Sequence, residues 1–401
     1  MVRQSYGRLI AYLAARTGDV AGAEDALGDA LVAALQRWPL DGVPDKPEAW
    51  LLHAARNRLV DAVRRAQVRE RSMEKLQEIA EEAQGLVMND DSFPDERLKL
   101  LFVCAHPAID PAARTPLMLQ TVLGIEAERI ASAFLTSPAA MSQRLVRAKT
   151  KIQEAAIPFR VPEPPEWPER LAPVLDAIYA GYTTGWEALP DSDSTHHTLA
   201  VEALALGRLV ARLMPEAAEA HGLLALMLHC EARRNARYSA EGEFIPLDQQ
   251  NTELWLRPLM EEAEDHLRRA ASFQSIGRFQ LEAAIQSVHA GRAQASETRW
   301  DVIAQLYEGL VRLSPSIGSQ VGRAVALAQA GNPAGGFELL EMIPAKDIRD
   351  YQPYWAARGH LLHLLHRNAE AREAWTRASG LTDDPALRRY LEKRCAEAAT
   401  S

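Results

Sequence analysis

Cysteine is scarce. Only Cys104, Cys230 and Cys395 occur in 401 residues, odd in number and far apart. No disulfide framework follows from such a set, and a reducing compartment suits it. Long apolar runs are missing too: no stretch approaches about 18 uninterrupted apolar residues, and the start, MVRQSYGRLIAYLAARTGD, has no apolar core followed by a cleavage site. The expected location is the cytoplasm, with no membrane partner. Enzyme signatures are also lacking, with no Walker loop, no G-x-G-x-x-G after a strand, no H-E-x-x-H and no G-x-S-x-G. Cys104 with His106, and His229 with Cys230, come nearest to metal-ligand spacing, but neither has a second ligand pair, so no zinc is expected. His196 and His197 fall in a polar stretch and read as an exposed loop. No catalytic residue, metal or cofactor is assigned.

Strand alternation bounded by Asn-Gly or Asp-Gly turns is absent, while Ala, Leu, Glu and Arg dominate at the helical period. The fold class expected is all-α. With 47% hydrophobic and 25% charged residues the composition is globular, and the length calls for two or three domains. Helices are predicted over 5–16, 20–38 (stopped by Pro39), 47–71, 96–105, 111–123, 126–134 and 138–156. The loop 39–47 holds three prolines and a glycine. Ser137 is placed to cap the helix from 138, with Pro138 at its first position, and the two helices flanking 135–137 form a helix-turn-helix pattern. Residues 72–94 read as an acidic linker. In 157–173 proline supplies six of seventeen residues, so that segment reads as a stiff connector.

The net charge of −9 hides an asymmetry. Arg144, Arg147, Lys149, Lys151 and Arg160 stand against Glu154 alone. Arg56, Arg58, Arg64, Arg65, Arg69 and Arg71 stand against Asp61 and Glu70. Two basic segments on an acidic chain point to local contact with a polyanion. From 174 to 401 the chain reads as helical repeats, with an irregular insertion around 235–253. Trp355, Gly359, Leu362, Ala371, Trp375 and Ala378 fit the tetratricopeptide pattern in register. Ala324, Leu327, Gly336 and Leu340 make a weaker copy, and Gly291, Tyr307, Leu310 and Pro315 a third. Small residues at those places let paired helices approach closely.

The segment AEDALGDALVAALQRW (23–38), the proline-broken loop and PEAWLLHAARNRLVDAVRR (47–65) together resemble region 2 of extracytoplasmic-function sigma factors. Residues 95–152, from DERLKLLFVC to RLVRAKTKI, resemble their region 4. IPFRVP, GYTTGW, LLALMLHCEARRNAR and AAIQSVHAGR resemble one subgroup with a C-terminal tetratricopeptide-like extension. Gly28 departs from the family's usual Gln, and the chain starts several residues short of its usual first helix.

The resemblance implies five segments: region 2 over 1–71, the linker 72–94, a region 4 helix-turn-helix over 95–156, the connector 157–173 and the repeat domain 174–401. It implies core RNA polymerase and promoter DNA as partners, a surface for a protein partner on the repeat domain, and no cofactor. Asp25 and Asp29, four apart on one helix face, would dock on core polymerase. Arg56 and Asn57, with Arg64 and Arg65 on phosphates, would serve the −10 element. Ser142, Gln143, Val146 and Arg147, with Arg144 alongside, would contact the −35 element. Lys149 and Lys151 are expected on phosphates or in solvent, and Trp38 and Trp50 in the core. The rival reading is a helix-turn-helix regulator with a sensing repeat domain, whose mark would be the lack of the region 2 helices.

Overall fold

The computed structural model describes residues 2–66, 95–134, 136–186, 194–295 and 297–400. Among these the regular structure is helical, apart from an isolated antiparallel bridge between Tyr238 and Phe244. The chain divides into two compact units, Met1–Val210 and Ala211–Ser401.

The first unit holds α1 (Val2–Thr17), α2 (Val20–Asp41), α3 (Pro47–Ala66), α4 (Arg97–Cys104), α5 (Pro111–Thr121), α6 (Ala127–Ala133), α7 (Pro138–Glu154), α8 (Trp167–Trp186) and most of α9 (Ser194–Leu213). Leu9 to Ala14 are all buried, six successive residues that cover every side of α1. Leu9, Ile10 and Leu13 contribute roughly 1.5–3 kcal/mol apiece by that burial. The helix is enclosed because α2 and α3 pack on it from one direction and α4 and α5 from another. Gly7 makes the second contact feasible: a Cβ there would lie 1.9 Å from the Val122 carbonyl oxygen.

Thr17-Gly18-Asp19 turns the chain into α2, with Gly18 at φ 70° and the Asp19 carboxylate accepting the Gly22 N–H. Pro39 does not stop α2 as the sequence led us to expect. The proline denies a hydrogen bond only to the Leu35 carbonyl, and Leu35 is 76% exposed, so solvent can replace it. The helix ends three residues later at Gly42, φ 86°, whose N–H donates to Trp38 O. The loop therefore shortens to 42–46. Ser137 caps α7 as expected, accepting the Ala140 N–H at 3.2 Å ahead of Pro138.

Half of the expected connector is helical. After a single turn at Pro164–Glu166, α8 begins at Trp167, whose indole N–H donates to Pro162 O. Buried Arg170 donates to the Phe102 carbonyl and lies over that ring, while Gly181 sits against Leu119 and Leu123. The described residues of 174–210, grouped by sequence with the repeats, fall within the first unit. Arg97 adds a link there, bound to Asp95 and, at 2.5 Å, to Glu202 of α9. His196 and His197 lie in the first turn of α9, not in a loop.

The second unit continues with α10 (Ala218–Ala232), α11 (Arg257–Ser272), α12 (Arg278–Ala290), α13 (Trp300–Leu313), α14 (Ile317–Gln329), α15 (Pro333–Glu341), α16 (Ala345–Ile348), α17 (Gln352–Leu364), α18 (Asn368–Gly380) and α19 (Pro385–Thr400). Successive helices pack mostly on their sequence neighbours. Gly359 shows why small residues recur: a Cβ there would meet the Trp375 indole at 2.5 Å. Residues 237–256 interrupt the series as an irregular segment with two single-turn helices.

Candidate functional site

Three surfaces of the first unit carry the residues singled out by sequence. On α2, Asp25 and Asp29 are both exposed and share a face. Asp29 approaches Arg58 of α3 at 3.8 Å, with both side chains more than half exposed. Such a contact is worth about 0–1 kcal/mol and leaves the carboxylate accessible. Val32 (54% exposed), Leu35 (76%), Leu40 (86%) and Val43 (61%) continue the acidic face into an uncovered apolar one. Sequence reasoning missed this extension. The run VAALQRW is apolar on several sides, so periodicity alone could not show which side stays outside.

On α3, Asn57 is exposed and Arg56 is half-buried. Burial pulls the Arg56 guanidinium below its ordinary value, and Tyr12 of α1 acts on it in the opposite direction. Arg64 and Arg65 belong to the last turn of α3, but their side chains lie outside the described residues. Trp38 and Trp50 pack edge to face, centroids 5.6 Å apart, and join the end of α2 to the start of α3. Both are half-buried, so they hold the loop 42–46 from beneath rather than sit deep in the core.

On α7, Met141, Leu145, Ala148 and Ile152 form the buried stripe. Ser142, Gln143, Val146 and Arg147 are exposed on the opposite side, with Arg144 half-buried between. Val146 is 62% exposed, an apolar side chain with nothing over it. Lys151 is exposed as expected, 4.0 Å from Glu154. Lys149 is not. Its ammonium pairs with Glu24 of α2, and the two side chains are only 13% and 14% exposed. Burial pushes the Glu24 carboxyl above its ordinary value, an effect that the charge and hydrogen bond of Lys149 only partly offset. The expectation of a phosphate-facing Lys149 is therefore corrected: this cation ties α7 to α2. Spacing on one helix could not have shown it, because its partner lies 125 residues away.

Cys104 is a core residue. Burial pushes its thiol up to about 12, and its sulfur lies 3.7 Å from Thr121 Oγ1. Among the described residues no group of three or more His, Cys, Asp or Glu side chains is placed to hold a metal ion. No described helix is long and apolar enough to cross a membrane.

Residues 1–69 match sigma-70 region 2, and residues 170–271 match a family of unknown function, DUF6596. An uncharacterized protein of Rhizobium meliloti (strain 1021) is 36% identical over 406 residues, spanning 99% of this chain and 95% of that one. No solved structure matches the chain.

Proposed function

Because residues 1–69 match sigma-70 region 2, we propose that the chain is a sigma factor of the extracytoplasmic-function type. It binds core RNA polymerase, reads −35 and −10 promoter elements, opens DNA at the latter, and carries a C-terminal tetratricopeptide-like regulatory domain. One coincidence carries the reading. The region 2 match lies on the same chain as a capped basic helix whose Ser142, Gln143, Val146 and Arg147 stripe is uncovered. The region 2 match also disfavours a regulator that never replaces a sigma factor.

The roles follow from the chemistry. As the second helix of a helix-turn-helix, α7 offers Arg147 to guanine edges, Gln143 to adenine and Val146 to a thymine methyl. Arg56, Arg64 and Arg65 neutralise phosphates near the −10 element, and Asn57 hydrogen-bonds an extruded base. Extrusion costs a few kcal/mol of unstacking, so a site on the loop 42–46 and α3 must bind the base to keep the strands apart. Asp25 and Asp29 steer a basic surface of core polymerase to α2, and Val32 and Leu35 add apolar area once water is excluded. No cofactor is needed, since the chemistry of RNA synthesis belongs to the polymerase.

Reconstituted transcription tests this. Core polymerase with this protein should initiate at one site on the duplex upstream of its own gene. Asp25→Lys with Asp29→Lys should weaken association with core and leave the melting temperature unchanged. Core association and transcription unaffected by the double reversal would remove α2 from the interface. No initiation by folded protein would overturn the reading.

A further inference from the structure

Residues 237–256 leave α10 and return to start α11. In an array where helices contact their neighbours, such a loop should touch only the first tier or two. This one reaches much farther. Near its entry the Ile245 N–H donates to Arg237 O (2.8 Å), and at its exit the Leu256 N–H donates to Ala232 O (2.7 Å). Between them Arg292, just beyond α12, donates to the carbonyls of Leu247 (2.8 Å), Asp248 (2.6 Å) and Gln250 (2.9 Å). The same guanidinium lies 5.3 Å from the Trp255 ring centre.

Contacts to the last helix and the residue before it come from the entry half of the segment. The Tyr238 hydroxyl donates to Asp384 (3.3 Å), Arg389 donates to the Gly242 carbonyl (3.0 Å), and Phe244 meets Tyr390 edge-on at 5.7 Å. The charge of Asp248 also acts on His360 of α17 and on Tyr390 of α19. A segment that meets both the end of α12 and α19 bridges helices that lie far apart in the order of the array. It is not part of the core: of residues 237–256 only Gln250 and Trp255 are buried. A cleft of about 280 Å³ remains between it and α19, lined by Glu243, Gln249, Arg389, Lys393 and Glu397 among others.

We propose that residues 237–256 are an intramolecular ligand of the array. They fold back over the surface between the end of α12 and α19, and a partner segment reaches that surface only by displacing them. The contacts have that character: one arginine reads three backbone carbonyls regardless of side chain, and Tyr390 offers a shelf for one aromatic ring. The partner is therefore a peptide segment that presents clustered backbone carbonyls and an aromatic residue. Tethering at both ends gives the segment an effective concentration on the order of millimolar. A free competitor at micromolar concentration with equal contacts is outcompeted about 1,000-fold. It must gain further contacts, and the cleft beside α19 is where they are available. The proposal rests on the repeat-array reading of the second unit and does not depend on polymerase binding.

A labelled synthetic peptide of residues 237–256 is the probe, and the full-length protein its target. The wild type should bind it weakly. A chain with 238–250 replaced by a Gly/Ser segment of equal length should bind it at least tenfold more tightly, and adding Arg292→Ala and Asp384→Ala should abolish the gain. Equal binding to both chains, or no binding to the replaced chain, overturns the proposal. Hydrogen exchange on the wild type provides a second measurement should the replaced chain not fold. Amides of 245–256 should exchange at least tenfold faster than those of α10 and α12, and Arg292→Ala should raise their exchange alone. Exchange in step with α10 makes the segment core and overturns the proposal.

Discussion

Arg147 and Lys149 are two residues apart on α7, yet the fold gives them different surroundings. Arg147 is exposed, and its Nε–H donates weakly to Gln143 O at 3.4 Å, so the guanidinium is available to DNA. Arg147→Ala should cost about 1–3 kcal/mol of promoter affinity and relax preference at one base pair, if the side chain is bidentate to guanine. A uniform loss across sequences, seen in competition binding, would make it a phosphate contact. Histidines of the second unit yield a different prediction. Burial first, then the charges of Arg233 and Arg292, hold His289 down to about 4. Burial lowers His221 and His360 as well. Between the folded value and the ordinary 6.5, the unfolded chain binds protons that the folded chain refuses, so stability falls as pH drops through that window. Each such group contributes at most about 1.4 kcal/mol per pH unit. The melting temperature of the second unit should decline from pH 7 to pH 5, and His289→Leu should flatten the decline. An identical profile in the variant removes His289 as a cause.

Elements show which local rules survive packing. Ser137 was legible as a cap, and Asp19 as a turn residue ahead of α2, because both roles are decided within three residues. Pro39 and Pro173 were misjudged as helix-excluding, although each lies inside a helix. The cost of a proline depends on whether the carbonyl it orphans can reach water, which composition does not record. The glycine pattern behaves likewise. Gly359, expected to let two helices approach, does so against Trp375, whereas a methyl group at Gly291, from the third repeat copy, would have nothing within 4 Å. Tyr307 of that copy instead lies against Gly322, where a Cβ would meet its ring at 2.5 Å. Gly359→Ala should therefore destabilise the second unit by about 1–3 kcal/mol through overpacking. Gly291→Ala, at φ −56° and ψ −20°, should be neutral or slightly stabilising. Denaturant titration compares the two, and equal effects would mean that Trp375 yields to a methyl group without cost.

For the molecule as a whole, the contact between α2 and α7 limits what the first unit can hold at once. Elements named −35 and −10 lie about 25 base pairs apart, roughly 85 Å at 3.4 Å per base pair. With 1.5 Å of rise per residue, α2 and α7 are only about 33 and 26 Å long, and Glu24 joins them through Lys149. On the proposed reading both elements cannot be engaged while that pair is closed, so the two would have to separate on promoter binding. Glu24→Cys with Lys149→Cys, joined by a cleavable thiol crosslinker that spans the two side chains, should abolish promoter-dependent transcription without lowering the melting temperature, with recovery on cleavage. Full activity of the crosslinked protein would show that the closed form is competent.

The sequence by itself determined the helical class, most helix boundaries, the cap of α7 and the polar stripes of α2 and α7, because each depends on periodicity or on neighbours a few residues away. It also carried the resemblance to region 2, which the family match over residues 1–69 supports. Only the tertiary structure decided that Lys149 faces Glu24, that α8 and most of α9 fall in the first unit, and that residues 237–256 reach α19. Those facts rest on pairs separated by more than a hundred residues. A carboxylate or a carbonyl looks the same in sequence whether it meets water or a distant cation, and only burial distinguishes them.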